Sequence, residues 1–228
     1  AWHRQKVHPR RLQQVRMSRR PPCKKLQPQN RIMEPMSPAS ITIVSGLPRS
    51  GTSMMMQMLF AGGMEVLSDH LREADPDNSK GYFEYEPVKA TKRDASWVPL
   101  AMGKVVKAIY AFLPDLPDEF EYRVLFMRRN LQEVIRSQQV MLERRGEPGA
   151  GVDPEKLVKI FEGQLKSTDL WLSQQANVKS LDIEYERVLA DPATLAAEVA
   201  QFLELPLDCA AMAGVVDERL YHQRGNSS

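Results

Sequence analysis

The stretch Ile41 to Leu59, ITIVSGLPRSGTSMMMQML, leaves few choices for how the chain around it folds. Its first four residues are all β-branched, the pattern of a strand buried on both faces. A loop carrying Gly46, Pro48 and Gly51 follows, and Met54 to Leu59 then read as an apolar helix. Strand, glycine loop and helix start together make a phosphate grip. Backbone N–H groups left unpaired at the helix N-terminus point at the anion, and the helix dipole adds favourable potential. The glycines permit close backbone approach, while the hydroxyls of Ser50, Thr52 and Ser53 add donors.

The common nucleotide loop has the spacing G-x-x-x-x-G-K-[ST]. Gly46, Gly51 and Ser53 fit it, but Thr52 stands at the lysine position, and the positive charge lies inside the loop as Arg49. A kinase or NTPase without that lysine loses its hold on the terminal phosphates. The run GLPRSGTS resembles the 5′-phosphosulfate loop of sulfotransferases that use 3′-phosphoadenosine 5′-phosphosulfate (PAPS). It is most similar to the bacterial and tyrosylprotein branches, whose loop reads PRSGT.

A second element is similar to the same family. Tyr122 to Met127 reads as a strand ending in Arg128-Arg129-Asn130, and LQEVIRSQQVMLERR follows as a helix. An NTPase would place a magnesium-holding acid at this strand end, whereas two arginines attract an anion. Arg129 and Ser137 are spaced as the family's 3′-phosphate grip, an arginine at a strand end with a serine eight residues later. A planar guanidinium suits bidentate phosphate recognition. The resemblance thus implies two anion sites, one for each end of a doubly charged adenine nucleotide, and no metal. Cofactor contacts are expected from Gly46, Pro48, Arg49, Ser50, Gly51, Thr52, Ser53, Arg129 and Ser137. Arg224, in the tail LYHQRG, is a further candidate for the 3′-phosphate.

The resemblance also implies transfer of a sulfuryl group to a hydroxyl or amine, with Arg49 and Lys107 stabilising the leaving phosphate. Lys107 matches the lysine that relatives acting on small molecules carry on a strand, but Ile109 stands where their histidine base would be. In the tyrosylprotein branch a Glu, followed two residues later by Arg, lies after the second strand. Counting from the loop puts His70 and Arg72 there, with Asp69 and Glu73 within a short shift. His70, Asp69 and Glu73 are therefore the candidate bases. The segment Ser68 to Ala90 also carries Glu84 and Glu86, near the ligand crevice of a β/α fold. A PAPS-binding relative without catalysis is the alternative from another class, and a nucleotide kinase is the third.

Strands alternating with helices imply an α/β fold: a central parallel sheet flanked by helices, the P-loop-like sulfotransferase architecture. Met64 to Leu67, Gly103 to Ile109, Tyr122 to Met127 and Val178 to Tyr185 read as its further strands, and the helix from Pro154 carries a core stripe of Leu157, Ile160, Phe161, Leu165 and Leu172. The net charge of +2 conceals a split. Residues 1–40 hold ten Lys/Arg against the single acid Glu34, leaving 21 basic and 28 acidic residues in 41–228. A mildly acidic domain argues against general nucleic-acid binding. The Pro- and Arg-rich arm 1–40 lacks an apolar period and is expected to be disordered. It begins at Ala1 with Met17, Met33 and Met36 as other possible starts, which suggests an upstream extension; nucleic acid or anionic lipid are the partners its charge would suit. The domain is expected at 41–228, without a membrane span and in the cytoplasm. Two cysteines, Cys23 and Cys209, make no disulfide framework or zinc site. The acceptor, whether small molecule, glycan or peptide, is not encoded in any motif.

Overall fold

The computed structural model describes residues 40–69, 83–147 and 151–216. The arm up to residue 39 lies outside them, as do His70, Arg72, Glu73 and Arg224. Four strands form one sheet: β1 (Ile41–Gly46), β2 (Val105–Lys107), β3 (Tyr122–Arg128) and β4 (Val178–Glu184). All neighbours run parallel, in the order β2-β1-β3-β4. Among the described residues six α-helices accompany them: α1 (Thr52–Ala61), α2 (Leu131–Arg145), α3 (Pro154–Gln174), α4 (Tyr185–Ala190), α5 (Pro192–Leu203) and α6 (Cys209–Gly214).

Alternation along β1 divides the core. Ile41 and Ile43 face a cluster with Val106, Val124, Phe126, Trp97, Val98, Leu113 and, from α3, Leu172. Val44 faces the opposite cluster, where Met55, Met56, Met58 and Leu59 of α1 meet Val188, Leu195, Val199 and Met212 of the last three helices. Every residue of β1 is buried, as a strand covered on both faces must be. The chain leaves β1 for β2 on one side and joins β3 on the other. That makes the strand ends of β1 and β3 a switch point, where the outgoing loops part and leave a crevice. Gly46 pairs with Met127 in register, so the loop after β1 and the Arg128-Arg129 corner emerge side by side.

Local chemistry explains most of the elements. Asn130 accepts from the N–H groups of Gln132 and Glu133 and so caps α2, Asp153 caps α3 with Pro154 at its first turn, and Asp191 caps α5. Three expectations need correction. The Met64 to Leu67 strand is reduced to one parallel bridge, Val66 to Val105. Beyond it, Ser68 Oγ and Asp69 N both donate to the Glu84 carbonyl, which draws the chain away from the sheet. Tyr185 starts α4 instead of ending a strand. The apolar stripe of α3 joins the core in its C-terminal half: Leu172 is buried and Leu165 packs against the same cluster, while Ile160 is 41% exposed. Over the first turns of α3 the neighbour is the short 3₁₀ segment Tyr110–Asp115. It is too small to cover the helix, and a groove of about 550 Å³ remains between them.

Candidate functional site

The loop after β1 is built around two positions that accept only glycine. Gly46 has φ 141°, and a Cβ there would lie 2.6 Å from Ser50 Oγ and 2.7 Å from the Met127 carbonyl oxygen. Gly51 has φ 101°, and its Cβ would lie 2.5 Å from Cδ2 of Tyr185. Between them Arg49 adopts φ 74°, a left-handed conformation that costs a non-glycine residue ~1–2 kcal/mol. No side chain caps α1, which leaves its first-turn N–H groups without an intrahelical partner or a side-chain cap. Ser45 Oγ and Ser50 Oγ are buried and, among the described residues, have no hydrogen-bond partner.

That donor set fits a phosphate or sulfate. The orphaned buried hydroxyl of Ser50, an uncapped helix start and two glycines that admit close backbone approach are what an oxyanion needs. From α2, Ser137 Oγ accepts from Arg49 Nε at 2.9 Å, and Gln138 donates to the Pro48 carbonyl at 3.2 Å. Arg129 Nη1 donates to the Arg49 carbonyl at 3.1 Å. Arg49 thus touches both residues, Arg129 and Ser137, that were expected to form the second anion site.

Arg129 is held on three sides. Its Nε donates to Glu133 at 3.1 Å, one helical turn on, and its guanidinium lies 4.3 Å above the Tyr185 ring. Burial pushes the Tyr185 phenol up, against the opposing pull of Arg129. Arg128 has another role: strand alternation sends it to the other face, where it pairs with Asp169 and Asp182 and stacks on Phe126. Of the twin arginines, Arg129 is the one that contacts the loop after β1.

Lys107, at the end of β2, donates to Ser53 Oγ at 3.1 Å and lies 3.8 Å from Glu84 Oε1. Pairing in register with Val44 brings it beside the loop. Thr52 is buried in the first turn of α1. Of the candidate bases, Asp69 lies within the described residues; its Oδ2 accepts from the Glu86 N–H at 2.5 Å. Sequence reasoning did not single out Glu133, Gln138 or Tyr185. The i, i+4 spacing of Arg129 and Glu133 was a usable signal for the first; nothing local marks the other two.

These elements define a class of fold, a parallel α/β sheet flanked by helices of the kind found in PAPS-dependent sulfotransferases. Among solved structures, mouse sulfotransferase SULT7A1 complexed with PAP (3′-phosphoadenosine 5′-phosphate) is 14% identical. The match covers 78% of this chain and 63% of that one, with a TM-score of 0.50. The sulfotransferase domain of the Synechococcus PCC 7002 olefin synthase is 13% identical over 87% of this chain and 85% of that one, with a TM-score of 0.49. No family model matches the chain, and no curated protein matches it in sequence. Among the described residues no helix is long and apolar enough to cross a membrane.

Proposed function

We propose that the protein transfers a sulfuryl group from PAPS to a hydroxyl or amine acceptor. The observation that carries this reading is the double contact of Arg49, whose side chain meets Ser137 and whose carbonyl meets Arg129. Bound in the crevice, PAPS would supply an activated sulfuryl group on a 5′-phosphate. The loop N–H groups, Ser50, Thr52 and Ser53 would hold that phosphate, and Arg49 and Lys107 would neutralise the charge it gains as the leaving group. Each such preorganised donor is worth ~3–4 kcal/mol of barrier. Arg129 and Ser137 would hold the 3′-phosphate and fix the donor for in-line attack. The acceptor is a small molecule, a glycan or a peptide, taken up in the same crevice.

Incubation with ³⁵S-labelled PAPS, EDTA and a panel of phenol, amino-sugar and tyrosyl-peptide acceptors tests the proposal. Labelled product is expected without metal, and is expected to be lost in Arg129→Ala. A second reading rests on Ile109, which stands where small-molecule relatives carry their histidine. A non-catalytic binding module would retain labelled donor and release no labelled product with any acceptor.

A further inference from the structure

Three acids, Asp69, Glu84 and Glu86, lie among the described residues between the Val66 bridge and Ala90, and the structure gives them different work. Asp69 accepts from the Glu86 N–H, and the Glu86 carboxylate pairs with Lys89 at 2.7 Å. Both shape the segment itself. Glu84 instead reaches across to Lys107, with Oε1 3.8 Å from Nζ. Lys107 in turn touches Ser53, in the first turn of α1. Ser53, Lys107 and Glu84 therefore form a row leading outward from the anion loop.

The backbone fixes Glu84 in this row. Its carbonyl accepts from both Ser68 Oγ (2.9 Å) and Asp69 N (3.2 Å). Phe83, the residue before it, has φ 51°, a left-handed conformation that is an outlier for a bulky side chain. The Phe83 ring meets Phe60 with centroids 6.0 Å apart, which anchors the strained residue. Strain of this kind persists where the surroundings over-determine a conformation, and it often marks a working position. The Glu84 side chain keeps 25% of its surface exposed, so a substrate can reach it.

Building on the sulfuryl-transfer reading, we propose that Glu84 is the general base that takes the acceptor's proton. The acceptor O–H bond breaks, and its proton passes to the Glu84 carboxylate as the acceptor oxygen bonds to sulfur. The bond from sulfur to the 5′-phosphate oxygen breaks, and its electron pair leaves on that oxygen, to which Lys107 donates. The placement supplies a carboxylate base to a crevice where Ile109 cannot. A positioned base contributes ~10²–10⁴-fold to the rate.

The test compares wild type, Glu84→Gln, Glu84→Asp and Lys107→Ala, with Glu84→Gln also made in the Lys107→Ala background. The readouts are transfer from ³⁵S-PAPS to 4-methylumbelliferone, N-acetylglucosamine and a tyrosyl peptide, and PAP affinity by titration calorimetry. Glu84→Gln is expected to lower transfer by about 10²-fold or more while PAP binds as well as to wild type or several-fold tighter, since Lys107 no longer faces a carboxylate. Glu84→Asp is expected to recover part of the rate. A base loses rate in the Lys107→Ala background too; a residue that merely holds Lys107 loses none there, and that outcome would overturn the assignment. So would Glu84→Gln transferring at the wild-type rate, or a loss of PAP affinity matching the loss of transfer. If wild type binds PAP yet transfers to none of these acceptors, the enzyme reading falls and this assignment with it. If wild type transfers and Glu84→Gln matches it, only the assignment falls.

Discussion

A single methyl group added at Gly51 has a cost that follows from the geometry. At φ 101° a residue with a Cβ is strained whatever surrounds it, and here the Cβ would also lie 2.5 Å and 3.0 Å from two Tyr185 ring carbons and 3.3 Å from Met127 Cε. The backbone term is ~1–2 kcal/mol, and overpacking adds ~1–3 kcal/mol. A total of ~3 kcal/mol would lower Tm by roughly 6–12 °C in a domain of this size. The Tyr185 ring also supports Arg129 at 4.3 Å, so the displaced ring should move that guanidinium and weaken PAP binding. Thermal unfolding of Gly51→Ala, Tyr185→Val and the double variant separates the terms. Valine lacks the ring carbons that the new methyl would strike, so the two substitutions should cost less together than their sum, by ~1–3 kcal/mol of coupling. If the effects simply add, the ring does not abut the loop, and the packing account of Gly51 is wrong.

Arg129→Lys should fail to restore what Arg129→Ala loses. A lysine keeps the charge but cannot span Glu133 and the Arg49 carbonyl as a planar fork; PAP affinity should fall ~10–100-fold in both variants, and a lysine that restores binding would refute the bidentate reading. Acid stability has a definite sign. Asp94 and Asp191 are lowered from 3.8 by hydrogen bonds to Ser96 and Thr194, and Glu204 is lowered from 4.5 by its hydrogen bond to Arg123. A carboxylate whose folded pKa is depressed contributes stability that is fully present above its unfolded pKa and lost as pH falls through the folded one. Asp94→Asn, Asp191→Asn and Glu204→Gln together should therefore flatten the acid limb of Tm against pH below about 4; an unchanged limb would show that the native carboxylates bind protons no less readily than the unfolded chain.

How much of this was legible in the sequence depends on the range of the interaction. The β-branched run, the two glycines and the uncapped helix start act over a few residues, so β1, the loop and α1 could be read directly. Arg129 and Ser137 were singled out by the spacing the resemblance implies, an arginine at a strand end and a serine eight residues later. Their contact with Arg49 was not, because it depends on which strand lies beside β1. The α3 stripe misled for a related reason: periodicity reports which face of a helix is apolar, but not whether a neighbour is long enough to cover it. Tyr185 was read as a strand residue because the apolar–polar alternation of Leu181 to Glu184 continues through it and does not mark where pairing stops. The Arg128-Arg129 pair was legible as cationic, while the division of labour between them follows from strand alternation and from acids on β4 and α3.

Arg49 carries two properties that can be separated by experiment: a side chain that meets Ser137, and a left-handed backbone whose carbonyl receives Arg129. Alanine and glycine both remove the guanidinium, so both should weaken PAP binding to a similar degree. They differ in the backbone. Alanine retains the steric conflict of φ 74°, whereas glycine adopts it without strain. The unfolded chain gains entropy with glycine, which offsets ~0.5–1 kcal/mol of that relief. Set against ~1–2 kcal/mol of left-handed strain, Arg49→Gly should remain more stable than Arg49→Ala by about 0.5–1 kcal/mol. That is a Tm difference of roughly 1–4 °C, resolvable by calorimetry on matched samples. Equal PAP affinities with that ordering of Tm would show that the loop is strained to present its arginine. The reverse ordering, alanine the more stable, would mean that the left-handed turn carries no stored cost and that the arginine is placed by its side-chain contacts alone.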